Sequence, residues 1–531
     1  MKKNSLFDLL PEEPQKPSGP VTCLGQSFES DAARREHFLK LLAEKLQDPE
    51  FRKIEGFPIG TDEAILALSD PPYYTACPNP WIADFIAEWE AQKPEQPEGY
   101  QYHREPFAAD VSEGKNDPIY NAHSYHTKVP HKAIMRYILH YTEPGDIVFD
   151  GFCGTGMTGV AAQMCGDRDT VLSLGYQVRP DGTILREEED ADGNKTWQAF
   201  SRLGVRRAVL NDLSPAATFI AHNYNTPVDV QEFEREAKRI LKEVEAECGW
   251  MYETRHTDGK TKGTINYTVW SDVFICPDCA NEIVFWDVAV DKDAGQVRDE
   301  FPCPQCGATL TKRSMERAWV TKQDPEVGAV AGLSCAGRTP LGDPMIRQAK
   351  QVPVLINYSV GKKRFEKKPD ANDLALIEKI ERSNIPYWHP TAPLPKGDKT
   401  SEPIKIGTTH SHHFYTKRNL LALSSVFSRI SASKIKFLFT GFIGGATKLN
   451  QLHLKNYVFG GGGCNPGYRK GVIYTPSVSL ESSVISLFSE RLKTQLRAFK
   501  IYPHEIGYEF IISLGSASKL NGNHNYNDTL D

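Results

Sequence analysis

The chain of 531 residues lacks any apolar run approaching the length of a membrane-spanning helix. Its opening residues, Met1-Lys2-Lys3-Asn4-Ser5-Leu6, are not followed by the continuous apolar core of a signal peptide. Both absences point away from membrane and secreted proteins, and the use of cysteine matches a reducing compartment, so the expected location is cytoplasmic. An excess of positive charge is missing as well. The formal net charge is −6, so any contact with nucleic-acid phosphates must come from local patches. No internal repeat is evident. An apolar content of 40 % over this length permits several domains with substantial cores.

Asp70-Pro71-Pro72-Tyr73 is the first stretch that carries chemistry. The exocyclic nitrogen of adenine or cytosine is a poor nucleophile because its lone pair is delocalised into the ring. A carboxylate such as Asp70, aided by a carbonyl of a rigid Pro-Pro turn, can accept hydrogen bonds from that amino group and draw it towards a tetrahedral state. Proline suits the turn because it fixes φ and brings no competing N–H. Tyr73 can stack on a base turned out of its helix. Ala64 to Ser69 is a short apolar run that reads as a buried strand delivering the corner to a sheet edge. The plain alternative is an ordinary Asp-Pro-Pro turn.

A second motif supplies what the first lacks. Asp146 to Asp150 reads as a buried strand, and Gly151-Phe152-Cys153-Gly154-Thr155-Gly156 lets the backbone bend and approach a ligand before a helix opens near Met157. Ala208-Val209-Leu210 leads to Asn211-Asp212, where an acidic strand end can accept from ribose hydroxyls, or Asp212 and Ser214 can simply cap a helix. Between the motifs, His123-Ser124-Tyr125-His126-Thr127-Lys128 precedes a stretch with apolar residues at Ala133, Ile134, Tyr137, Ile138 and Tyr141, the spacing of an amphipathic helix.

Taken together, residues 61 to 225 resemble the amino-group DNA methyltransferases whose catalytic motif precedes the cofactor motif. With two cysteine knuckles further along, Cys276-Pro277-Asp278-Cys279 and Cys303-Pro304-Gln305-Cys306, the whole chain resembles, more narrowly, the zinc-ribbon-containing adenine-specific DNA methylases. That resemblance implies S-adenosylmethionine as cofactor and a doubly wound Rossmann-like core. It implies Asp70, Pro71, Pro72 and Tyr73 as the catalytic corner. Asp150, Gly151, Phe152, Cys153, Gly154, Thr155, Gly156 and Asp212 would hold the cofactor, with His126 and Lys128 in the segment that closes over its methionine end. The substrate implied is double-stranded DNA with a flipped base, adenine N6 favoured over cytosine N4, with restriction or defence partners. Three alternatives stand beside it: an RNA methyltransferase, a protein-amide methyltransferase, and an inactive zinc-containing DNA-binding subunit. The chain departs from the family pattern in two places. Some fifty residues between Tyr73 and His123 are too few for the remaining strands of a catalytic half, so something must be supplied elsewhere. The polar stretch from Gly166 to Gly204 reads as an inserted hairpin or loop around Pro180-Asp181-Gly182. Tyr508 to Ser518 resembles the family segment that leads towards a further catalytic-type motif, which suggests a truncated member.

Cys276-Pro277-Asp278-Cys279 and Cys303-Pro304-Gln305-Cys306 present four thiolates at the spacing of a structural zinc ribbon. The expected organisation is an N-terminal helical or linker segment (1–60), the methyltransferase core (61–235), the ribbon (270–312) and a C-terminal α/β region (315–531). Within the last, Leu420 to Ile430 reads as a helix, and Val472-Ile473-Tyr474 and Phe510-Ile511-Ile512 as strands. Lys362-Lys363-Arg364 with Lys367-Lys368, and Tyr468-Arg469-Lys470 after Gly460 to Gly463, are basic patches that can touch phosphate or simply face solvent. His410, His412 and His413 read as a solvent-exposed helix start, with metal binding the lesser alternative.

Overall fold

The computed structural model describes residues 19–95, 97–189, 192–327, 345–460, 463–465, 467, 472–502 and 508–517. Tyr468-Arg469-Lys470 and the tail from 521 lie outside them. Among the described residues no helix is long and apolar enough to cross a membrane. The chain forms two compact units, one from Met1–Phe233, Ser431–Phe437 and Thr494–Asp531, the other from Glu234–Ile430 and Leu438–Lys493.

The first unit is built on a parallel sheet. Its elements in chain order are α1 (Asp31–Lys45), α2 (Asp62–Leu68), α3 (His131–Tyr141), β1 (Ile147–Asp150), α4 (Met157–Met164), β2 (Arg207–Asp212), α5 (Pro215–Asn225) and β3 (Phe510–Leu514). β2 is central and pairs in parallel with β1 on one side and β3 on the other. Beyond β3, Tyr74 lies parallel to Ile512 and is itself bridged by Asp70 in a tight antiparallel turn. The buried run Ala208-Val209-Leu210 is what a strand covered on both faces requires.

Several expectations are corrected here. The run before the catalytic corner is helix α2, not a strand. Thr61 caps it by accepting from the Ala64 N–H, and Asp62 and Glu63 occupy its first turn. β3 is a strand, as its β-branched run suggests, but it completes the sheet of the first unit instead of belonging to a separate C-terminal region. This late strand is what the short interval between Tyr73 and His123 leaves missing. Of the two expectations for the N-terminal segment, its described residues show the helical one, with α1 packing Phe38, Leu39 and Leu42 into the core. Residues 472–474 form no strand. The inserted stretch does form a hairpin, Gln177–Val178 with Thr183–Glu189, extended by a third strand, Lys195–Arg202.

In the second unit a long strand, Lys262–Ile275, organises a seven-stranded sheet and leads directly into the first cysteine knuckle. The helix expected after Tyr415 is present as Lys417–Phe427. Lys363 and Arg364 stand exposed at the start of the strand Lys363–Lys367, whereas the Lys367 ammonium is paired with Asp370 and Asp373 at 2.7 and 2.8 Å.

Candidate active site

The glycine loop is anchored from its neighbouring strand. The Gly154 N–H donates to Asp212 Oδ2 at 2.9 Å and the Ser214 N–H to Asp212 Oδ1 at 2.9 Å, so each carboxylate oxygen keeps one lone pair for a ligand. Asp150 holds the other side of the bend, accepting from the Phe152 N–H at 3.1 Å and from Thr158 Oγ1 at 2.6 Å. Gly156 opens α4 at φ +70°, and Gly154 has φ +51°. A Cβ at Gly156 would lie 2.7 Å from Ala221 Cβ, so this glycine seats α4 against α5. A Cβ at Gly154 would meet only Tyr125, at 3.7 Å, so its surroundings are open. Phe152 stands 79 % exposed beside this open face. Cys153 is buried, and burial, then Asp150 and Asp212, push its thiol well up, which makes it inert. The loop, the exposed aromatic ring and the acidic strand end fit a nucleoside cofactor with an amino-acid tail.

Two residues of this cradle escape a motif reading. Asn211 joins three pieces of chain: its carbonyl accepts from the Cys153 N–H at 2.9 Å, and its side-chain amide donates to Gly151 O at 3.3 Å and Gly515 O at 2.8 Å. Tyr125 is the residue that the 123–128 segment lays against Gly154. His126, expected to face the cofactor, is exposed, with its ring 4.7 Å from that of Tyr125 and tilted 32° to it. Lys128 is engaged elsewhere. Its ammonium donates to the carbonyls of Tyr120 and His123 and to Tyr224 Oη, which staples the loop before α3.

The Asp-Pro-Pro-Tyr corner is closed by α1. Arg34 is fully buried, and its guanidinium donates to Pro71 O at 2.5 Å and to Asp70 Oδ1 at 3.0 Å, the two acceptors meant for an amino group. Arg35 Nε stands 3.7 Å from the same oxygen, and His222 Nε2 lies 3.8 Å from Oδ2. Burial raises the Asp70 pKa, but Arg34, then His222 and Arg35, outweigh it and hold the carboxyl below its usual range. The Tyr73 ring is buried and stacked on Tyr508 at 4.0 Å, with Arg34 over its face at 4.9 Å. Asn79 donates to Pro72 O at 2.8 Å and to Ile512 O at 3.1 Å, locking the turn to β3.

The sheet also separates this corner from the loop. Asp70 bridges Tyr74, which lies level with Ile512, Leu210 and Asp150 across β3, β2 and β1. β2 therefore stands between the strand beside the corner and the strand that opens the glycine loop. A methyl donor and its acceptor nitrogen must approach to about 3 Å. In this structure Asp70, Pro71, Pro72 and Tyr73 form an ion-paired, aromatic-sealed brace between α1, β3 and α5.

The four cysteines converge in the second unit. Cys276 Sγ lies 3.8 Å from Cys306 Sγ, and Cys279 Sγ 3.8 Å from Cys303 Sγ. A tetrahedral zinc with bonds of about 2.3 Å has edges of about 3.8 Å, whereas a disulfide needs about 2.05 Å. Each knuckle is closed by backbone bonds, Ala280 N–H to Cys276 O and Gly307 N–H to Cys303 O, both 3.0 Å. The donor set fits a structural zinc.

His412 and His413 are buried, in contrast to the exposed helix start expected of them. Both Nε2 atoms converge on one oxygen of the buried Asp324, at 3.0 and 2.7 Å. The signal was missed because Asp324 lies 88 residues upstream.

No curated protein and no solved structure matches the chain. Residues 47–181, which hold the Asp70 corner and the glycine loop but neither Asp212 nor the cysteines, match the model of a family described as DNA methylase.

Proposed function

We propose that the chain is an S-adenosylmethionine-dependent methyltransferase acting on an exocyclic amino group of DNA, adenine N6 favoured over cytosine N4. The observation that carries this reading is the Gly154–Asp212 bond, which joins a glycine loop and an acidic end on adjacent parallel strands. The cofactor, when bound, supplies an electrophilic methyl group. Asp212 would accept from the ribose hydroxyls with its free lone pairs. The loop backbone would approach the amino-acid end, and Tyr125 would cover it. The four cysteines would hold one zinc and stabilise the strands around them. Double-stranded DNA with an extruded base is the proposed substrate.

A second reading, an inactive cofactor-binding subunit of a defence system, is favoured by the closure of the Asp70 corner. One assay separates the two, with the purified chain, tritiated S-adenosylmethionine and unmethylated genomic DNA, followed by digestion to nucleosides. Tritium in methyladenine supports the enzyme, and cofactor binding in calorimetry without transfer supports the subunit. Absence of cofactor binding refutes both. Because Asp70 is remote from the loop, Asp70→Asn should keep transfer per folded molecule within about threefold. A loss of a hundredfold or more in folded protein would restore the corner to catalysis.

A further inference from the structure

The Asp324 cluster does not belong to the cofactor site or to the cysteine knuckles. Asp324, His412 and His413 retain 7, 7 and 5 % exposure. Their ligand-capable atoms all lie within 4.8 Å of one another. A buried carboxylate is costly unless a cation answers it. Among the described residues no lysine or arginine nitrogen forms an ion pair with Asp324; the ring nitrogens beside it are those of the two imidazoles. Its other oxygen, Oδ1, accepts from the Glu326 N–H at 3.1 Å. Both imidazoles therefore crowd on Oδ2 from one side, with their rings 4.3 Å apart.

We propose that Asp324, His412 and His413 form a second metal site, a two-histidine, one-carboxylate centre for a divalent ion of the zinc class with an open position. Two nitrogens and one carboxylate oxygen suit borderline ions such as zinc, and three protein ligands leave coordination free, unlike a closed four-cysteine set. The free position has somewhere to face. The three residues line a cavity of about 510 Å³ whose charged lining mixes Lys322, Lys417 and Lys448 with Glu326, Glu381 and Glu481, a polar space that water suits. The Thr409 N–H donates to His413 Nδ1 at 3.1 Å, so the ring proton of His413 sits on Nε2, facing Asp324. A metal at Nε2 displaces that proton and needs the Thr409 amide to yield to a proton on Nδ1. Among the described residues His412 Nδ1 has no hydrogen-bond partner.

Metal counting on the full chain tests this. Protein stripped with chelator, reloaded with zinc sulfate and desalted should hold two zinc ions per chain. His413→Ala and Asp324→Asn should each hold one, as should Cys303→Ser. Cobalt loading of the parent distinguishes the sites without any substitution: the cysteine site gives intense thiolate absorption in the near ultraviolet, and the second equivalent adds only weak visible bands. A single zinc in the reloaded parent overturns the proposal, as does a second equivalent that persists in both His413→Ala and Asp324→Asn.

Discussion

Two glycines of one loop, two residues apart, should respond to the same substitution in opposite ways. Gly156→Ala introduces a Cβ 2.7 Å from Ala221 Cβ and 2.9 Å from Ala221 Cα, where α4 meets α5. Backbone and a packed methyl cannot move aside cheaply, and such overpacking costs about 1–3 kcal/mol. The left-handed φ of +70° adds about 1–2 kcal/mol for any residue with a side chain. The sum, about 2–5 kcal/mol, at a urea slope of about 2 kcal/mol/M, lowers the unfolding midpoint by about 1–2.5 M. Gly154→Ala carries only the left-handed penalty, since its Cβ finds nothing closer than 3.7 Å. It should leave the midpoint within about 1 M. Its methyl, however, enters the open face of the loop, so cofactor affinity should fall at least tenfold. Urea titration followed by hydrogen exchange of peptides from 147 to 165, with calorimetry of S-adenosylmethionine, reads both effects. Equal destabilisation by the two variants, or full affinity in a folded Gly154→Ala, would refute the division of labour between seating a helix and facing a ligand.

The cysteine knuckles should release one zinc on Cys303→Ser or Cys306→Ser, with proteolytic cleavage appearing between about 270 and 312; retained zinc and intact chain would contradict a structural role. Acid should loosen the first unit before its carboxylates titrate. Burial holds His222 down to about 4, below the 6.5 of an unfolded chain, so the unfolded state binds the extra proton and stability falls as pH drops from about 6.5 to 4. The loss attributable to this one group is on the order of 3 kcal/mol. Urea midpoints at pH 7.5 and 5.0 register about 2 kcal/mol of it, and His222→Asn should remove that share while the loss from the buried His131, also held down to about 4, remains. Asp212→Asn should cost about 1–3 kcal/mol locally and weaken cofactor binding, because an amide cannot accept from both Gly154 and Ser214. Unchanged affinity would exclude Asp212 from the site.

The parts of this molecule that could be read from sequence were local ones. Asp150 to Gly156 announced itself because a bend and its glycines lie within seven residues, and the paired knuckles because cysteine spacing is itself geometry. The run from 64 to 68 was misread since five apolar residues fit a strand or a helix equally; Thr61-Asp62-Glu63 was the signal that decided it. The corner at Asp70 looked catalytic because its residue types suit an amino group. What closes it, Arg34, is 36 residues upstream, and what separates it from the loop is a strand more than 400 residues downstream. Such pairings follow from topology, which no local pattern states. His412 and His413 looked exposed for the same reason, their carboxylate partner being distant.

β3 also sets the order of events during synthesis. Asn211 and Gly515 meet across 304 residues of intervening chain, so β2 emerges from the ribosome with one edge bare. At about 5–20 residues per second the wait for its neighbour lasts about 15–60 s. Throughout that interval a strand of Ala208-Val209-Leu210, destined to be buried, offers unpaired amides to any passing chain. The first unit is thus the last to close although its residues are the first made, and a fragment ending near 235 would be an open template for aggregation, not a minimal enzyme.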